Sequence, residues 1–224
     1  NRTTQSTKKI ILKITCEDNM DLMARYEDNY FDLAIVDPPY GIGMDSTHFK
    51  TKSSFSKPTD YGIKNWDNKI PKKEYFTELQ RVSKNQIIWG GNYFIENLTN
   101  SSCWVVWDKD NGDSFHADCE LAWTSFQSSV RKIKWLWHGM RQQNMKNKEK
   151  RFHPTQKPVK LYEWLLMNYA KQGDKILDTH FGSGSIGIAC HNLGFDLTAC
   201  EIDKDYYNLA IERINKHKAQ KRLF

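Results

Sequence analysis

The sequence predicts an α/β fold built on a mainly parallel sheet. Three observations predict it: short apolar runs that stop at Pro or Gly, segments with helical spacing between those runs, and the regular alternation of the two along the chain. With 224 residues, 39% of them hydrophobic and 13% aromatic, residues 1–224 can bury the core of one ordinary domain.

The elements follow in order. Ile10 to Ile14 reads as a short strand, and Asp18 to Tyr26 as a helix with Asp18 at its cap, where a carboxylate can take an orphan backbone N–H. Phe31 to Val36 is nearly all apolar and is stopped by Pro38 and Pro39, which suits a parallel strand buried on both faces. The polar, basic stretch 41–73 is too long for an ordinary connection and reads as a functional lid or a disordered segment. Lys72 to Val82 has helical spacing, and Asn85 to Trp89 reads as a strand ending at Gly90 and Gly91. Cys103 to Trp107 and Cys119 to Trp123 are further strands. Val159 to Tyr169 is a helix entered after Pro158, Lys175 to Leu177 a strand, and Ser185 to Leu193 a helix ending near Gly194. Leu197 to Ile202 and Tyr206 to Lys218 complete the pattern as strand and helix.

Charge is unevenly spread. The formal net charge is +6, but between Ser128 and Phe152 the eight cations Arg131, Lys132, Lys134, Arg141, Lys146, Lys148, Lys150 and Arg151 face a single acid, Glu149. This segment, about 128–152, carries the whole excess. It is either an electrostatic footprint for a polyanion or a solvated surface loop. Arg131, Lys132, Lys134, Arg141, Lys146 and Lys148 are the candidate phosphate contacts. Trp135 and Trp137 alternate inside the block and are candidates for a hairpin face that stacks on bases.

No stretch approaches the roughly 20 apolar residues of a membrane helix. Asn1 to Lys9 carries no apolar signal core. The five cysteines are odd in number and scattered without a C-x-x-C pair. That points to reduced thiols acting as small buried hydrophobes in the cytoplasm, with no zinc site and no metal.

Two motifs carry chemistry. Asp37-Pro38-Pro39-Tyr40 directly follows the Phe31 to Val36 strand. An aryl amine is a poor nucleophile because its lone pair is delocalised into the ring. A carboxylate and a backbone carbonyl that each accept one of its N–H bonds would orient it for attack. Asp37 can supply the first and Pro38 the second, held in direction by two ring-locked φ angles. Tyr40 offers a ring face for an extruded base, worth about 1–3 kcal/mol. The same four residues are also good turn chemistry.

The second motif, Ile176 to Ser185, is a strand, a Gly-rich turn (Phe181-Gly182-Ser183-Gly184-Ser185) and a helix start. Such a turn lets backbone N–H groups meet a ligand. The next strand ends at Glu201, which is placed to take both ribose hydroxyls of a nucleoside cofactor. The alternative is a helix-capping loop and a solvated acid.

The tetrapeptide followed downstream by this turn resembles the amino-methyltransferases of bacterial and phage restriction-modification systems, in the permuted order called the beta class. Further matching stretches are Ile14 to Met23, with Asp18 at the acid position, and His153-Pro154-Thr155-Gln156-Lys157-Pro158. The resemblance spans nearly the whole chain. It implies a Rossmann-like class I methyltransferase fold, with about seven strands and helices on both faces, that binds S-adenosylmethionine and releases S-adenosylhomocysteine. In that picture Asp18 meets the cofactor's adenine amine. Asp37, Lys157, Asp178, Phe181, Gly182, Ser183, Gly184, Ser185 and Glu201 surround the rest. Asp37, Pro38, Pro39 and Tyr40 form the catalytic group, and the basic segment is the target-recognition region. This region is short, so specificity is either short or shared with a second copy or a partner subunit.

Two departures stand out. Glu17 takes the place of the family's Gly, and Thr179-His180 intervenes so that Phe181 is displaced by one position. The implied reaction is methylation of the N6 amine of adenine, flipped out of double-stranded DNA, without a covalent enzyme intermediate. N4-cytosine methylation needs the same amine-holding geometry, though Ser more often precedes the two prolines there. Methylation of RNA or of a glutamine amide goes with Asn at the first position and an upstream cofactor turn. The non-enzymatic alternative is an inactive nucleic-acid-binding subunit.

Overall fold

The structure is a computed structural model and describes residues 10–43, 67, 69–112, 117–138 and 141–220. One sheet holds eight strands in the order β1-β10-β9-β2-β3-β5-β4-β6. These are β1 (Leu12–Cys16), β2 (Phe31–Val36), β3 (Ser83–Trp89), β4 (Trp104–Asp108), β5 (Cys119–Thr124), β6 (Arg131–Lys134), β9 (Lys175–Asp178) and β10 (Asp196–Glu201). Neighbours are parallel except that β5 runs antiparallel to both β3 and β4. A small ribbon pairs β7 (Trp137–His138) with β8 (Arg141–Gln142).

Helices α1 (Asn19–Met23) and α2 (Lys73–Val82) cover one face of the sheet. Helices α3 (Val159–Tyr169), α4 (Ser185–Leu193) and α5 (Lys204–Ala219) cover the other. The alternation along β2 explains why its sequence is so apolar. Leu33 and Ile35 join the core under α3 to α5, while Ala34 and Val36 join the core under α1 and α2.

The chain reverses its direction of travel across the sheet between β9 and β2. One crossover leads from β9 through α4 to β10, and the other from β2 through α2 to β3. A crevice at the carboxyl ends of strands follows from such a reversal. Register sets its walls: Ala34 lies opposite Leu177, so the chain leaves β2 after Val36 and β9 after Asp178 side by side.

Several sequence expectations shift. The sheet has eight strands rather than about seven, because the basic block supplies edge strand β6. Only Ile133 of that strand is buried, and its Lys side chains face solvent, as suits an unpaired edge. The first strand lies two residues later than read. Helix α1 stops at Met23, and α5 begins at Lys204 because the Asp203 carboxylate accepts from the Asp205 and Tyr206 amides. Cys103, Cys190 and Cys200 are buried thiols, but Cys16 and Cys119 are exposed. Residues 44–66 and 68 of the stretch read as a lid lie outside the described residues. Among the described residues no helix is long and apolar enough to cross a membrane.

Candidate active site

Asp37 follows β2 directly and lines a cavity of about 290 Å³ at the crevice. The glycine turn forms the opposite wall, with Phe181, Gly182 and Ser183, and Glu201 and Ile202 close one end. Gly182 and Gly184 adopt left-handed φ angles of 49° and 71°, a conformation that favours glycine. The Glu201 carboxylate shapes this turn: one oxygen accepts the Gly182 amide at 2.7 Å and the other the Asp203 amide at 2.9 Å. Burial pushes the Glu201 carboxyl above its ordinary range.

The tetrapeptide is held on every side. The Tyr40 hydroxyl donates to Asp37 Oδ1 at 2.7 Å, and its ring stacks on Tyr93 with centroids 5.0 Å apart and planes 14° apart. Gly90, at φ 70°, brings backbone against the same ring, where a side chain would overlap it. Pro38 is buried, and Pro39 lines the cavity.

Lys157 donates to Asp37 Oδ2 at 2.6 Å, so its ammonium sits on the tetrapeptide. Lys157 also lines the cavity, where the family resemblance expects it beside the cofactor. Burial pushes the Asp37 carboxyl up, and the Lys157 charge opposes that. Glu120 from β5 flanks Lys157 on its other side at 3.0 Å and was missed from the sequence. Its one signal was a lone acid inside the otherwise apolar run Cys119 to Trp123. Burial works to raise the Glu120 carboxyl, but the Lys157 and Lys109 ammonium groups outweigh it and hold it at about 2. Asp178 shows the contrary case: it is buried with only the His180 amide donating to it, and is pushed up to about 8.

Other assignments change more. The Asp18 carboxylate caps α1 by accepting the Met20 amide at 2.7 Å; it is exposed, while its neighbours Glu17 and Asn19 line the cavity instead. The Phe181 ring packs against Gly184 and Gly187 in the core. Ser185 donates to the Lys157 carbonyl at 2.7 Å, which ties the glycine turn to the His153–Pro158 segment. Gly184 also serves packing, since a side chain there would press on Ala210. His180 Nε2 accepts from the Asn19 side-chain amide at 3.1 Å and its Nδ1 meets the Thr179 hydroxyl at 3.0 Å, and burial lowers its ring to about 3, so it is uncharged at neutral pH.

The basic segment is folded. Trp137 is buried, donates its indole N–H to the Gln156 carbonyl at 2.7 Å and carries Arg151 over its ring; it offers no face to a base. Trp135 is half-buried against the same core. Glu149, the one acid of the block, pairs with Arg213 at 2.6 Å. Lys132 and Lys134 pair with Asp108 at 3.4 Å and Asp110 at 2.8 Å, whereas Arg131, Arg141, Lys146 and Lys148 are exposed.

A strand order that reverses beside a glycine turn, an acid ending the next strand and a single antiparallel strand near the sheet edge define the class I S-adenosylmethionine-dependent methyltransferase fold. The comparisons agree with it. Residues 107–212 match the family N6_N4_Mtase, described as DNA methylase. The chain is 26% identical to the Type II methyltransferase M.HpaI of Haemophilus parainfluenzae, over 91% of this chain and 74% of that protein. Among solved structures, the M1.HpyAVI–SAM complex superposes with a TM-score of 0.57 at 20% identity, covering 92% of this chain and 100% of that one. The cytosine-N4-specific PvuII DNA methyltransferase superposes at 0.59 with 11% identity, covering 96% and 89%. The resemblance to the DNA methyltransferases of restriction-modification systems therefore extends along nearly the whole chain.

Proposed function

We propose that this protein is a DNA methyltransferase that transfers a methyl group to the N6 amine of adenine. One observation carries the reading: Asp37 of the tetrapeptide and Gly182 of the glycine turn line the same cavity, so an amine held at the first lies beside a cofactor held at the second. The donor set fits S-adenosylmethionine. An acid at the end of β10 suits ribose hydroxyls, a glycine turn suits close backbone approach, and Glu17 and Asn19 stand where an adenine edge would lie. The cofactor supplies a methyl group made electrophilic by its sulfonium.

The chain's own residues supply the rest. Exposed Arg131, Arg141, Lys146 and Lys148 neutralise phosphates and hold the duplex. The target base leaves the stack, because its amine cannot reach the cavity from inside a duplex. Asp37 accepts one amine N–H and the Pro38 carbonyl accepts the other, which turns the nitrogen lone pair toward the methyl carbon. S-adenosylmethionine held in this cavity would supply the methyl group to that nitrogen, with the departing sulfur keeping the electron pair of the carbon–sulfur bond. The methylated nitrogen then gives up its extra proton through Asp37 to solvent. Tyr40 packs against the base.

N4-cytosine methylation is the second reading. It uses the same amine-holding pair, and the cytosine-N4-specific neighbour has a like fold. Incubation with methyl-labelled cofactor and unmethylated plasmid, followed by nucleoside analysis, tests both. N6-methyladenine is expected, N4-methylcytosine moves the assignment to the second reading, and no labelled base sinks both. Asp37→Ala should retain cofactor binding by calorimetry and lose transfer; turnover at the wild-type rate refutes the role given to Asp37.

A further inference from the structure

Lys157 is enclosed. Its ammonium meets Asp37 Oδ2 at 2.6 Å, Glu120 Oε2 at 3.0 Å and the Tyr40 hydroxyl oxygen at 3.2 Å, and its side chain is 2% exposed. The Trp89 ring lies 5.3 Å away. The second oxygen of Glu120 meets Lys109, just beyond β4, at 2.6 Å. Charges thus alternate from Lys109 through Glu120 and Lys157 to Asp37, with Lys109 on the carboxylate oxygen not facing Lys157.

The proposed reaction makes this arrangement puzzling. Transfer moves a positive charge from sulfur to the amine nitrogen, next to Asp37. A cation bonded to Asp37 fixes the carboxylate and keeps it ionised despite burial, but it also cancels the charge that the reacting nitrogen needs to meet. Glu120 supplies the missing charge: Asp37, Lys157 and Glu120 together carry −1, against the +1 that arrives on the amine, while Lys109, which balances the sum, lies outermost in the chain of charges and is the more exposed of the two lysines. We infer that Glu120 is a positioning residue for methyl transfer, which holds Lys157 on Asp37 and restores net negative charge to the amine site. The inference rests on the methyltransferase reading above.

The test compares kcat, cofactor affinity and melting temperature for the wild type, Glu120→Gln, Lys157→Met and the double variant, with methyl-labelled cofactor and unmethylated DNA. Glu120→Gln keeps shape but leaves the cluster neutral, so kcat should fall about tenfold or more while cofactor affinity stays within about threefold. Adding Lys157→Met to Glu120→Gln leaves Asp37 alone at −1, and kcat should rise above that of the Glu120→Gln single variant. A merely structural role predicts no such gain over Glu120→Gln, because the double variant leaves Asp37 buried without either neighbour.

Glu120→Gln with wild-type kcat, or a double variant no more active than Glu120→Gln, overturns the inference and leaves the methyltransferase reading standing. A wild-type protein that transfers no methyl group overturns both. If Glu120→Gln fails to fold, Glu120→Asp is measured instead. Glu120→Asn, of equal size but uncharged, is its control: the Asp variant should keep the higher kcat, and equal kcat in the two at normal melting overturns the inference.

Discussion

Glu201 uses each of its oxygens on a backbone amide, one in the glycine turn and one at the cap of α5. A carboxylate oxygen has lone pairs to spare after one such bond, so the residue can shape the turn and still receive a ribose hydroxyl. Glu201→Ala removes both functions. It should weaken cofactor binding at least about tenfold and cost about 1–3 kcal/mol of stability, because two amides lose their acceptor. Calorimetry and denaturant melts measure the two effects separately. At this scale the sequence was uneven. Asp37 and Glu201 were legible because each sits at the end of an apolar strand, where α/β sheets bind ligands. The pairing of Lys157 with Asp37 and with Glu120 was not legible, because a partner as far off in the chain as Asp37 is from Lys157, 120 residues, leaves no local pattern.

The element that most constrains the site is the turn after β3. Gly90 adopts φ 70°, and its backbone lies where any Cβ would collide with the Tyr40 ring. Gly90→Ala should therefore cost about 1–3 kcal/mol through strain and overpacking, and reduce methyl transfer more than cofactor binding, since Tyr40 is displaced and the glycine turn is untouched. Equal loss of both would place the damage in the general fold instead.

The basic segment is another element whose role the structure divides. Lys132 and Lys134 spend charge on Asp108 and Asp110, while Arg141, Lys146 and Lys148 are exposed. Neutralising those three should weaken DNA binding and flatten its salt dependence by about 0.9 log unit per lost phosphate contact, and neutralising Lys132 and Lys134 should do less. Binding measured from low to moderate salt checks this. This segment's charge was legible but its shape was not: β6 shows one inward residue, Ile133, which is too short a pattern to read.

For the whole molecule, buried titratable groups at the crevice set how stability responds to pH. Burial, with Lys157 adding to it, lowers His153 to about 3 from an ordinary 6.5. Below pH 6.5 the unfolded chain takes up a proton that the folded chain refuses, so this stability is present above 6.5 and is lost as pH falls toward 3. His153→Gln should gain on the wild type by up to about 1.4 kcal/mol for each pH unit below 6.5. Asp178 has the opposite sign. Held at about 8 by burial, it keeps a proton that the unfolded chain releases above about 4, so that contribution is lost progressively as pH rises from about 4 to 8 and the curve is flat beyond. Asp178→Asn should then flatten the loss between about pH 5 and 8. Melting curves from pH 5 to 9 read both, and unchanged differences between each variant and the wild type would count against these assignments.

The α/β class, most element positions, the Asp37–Tyr40 tetrapeptide and the glycine turn could be read from the chain alone, because apolar periodicity, Pro and Gly act locally on the backbone. What these motifs face is set by the fold. Parallel pairing of β2 with β9 brings Asp37 to the glycine turn, and antiparallel β5 delivers Glu120 to Lys157. Trp137 went to the core rather than to an open face. The physical reason is the same in each case: charge pairing and aromatic burial depend on distance in space, and the fold sets that distance between residues far apart in the chain.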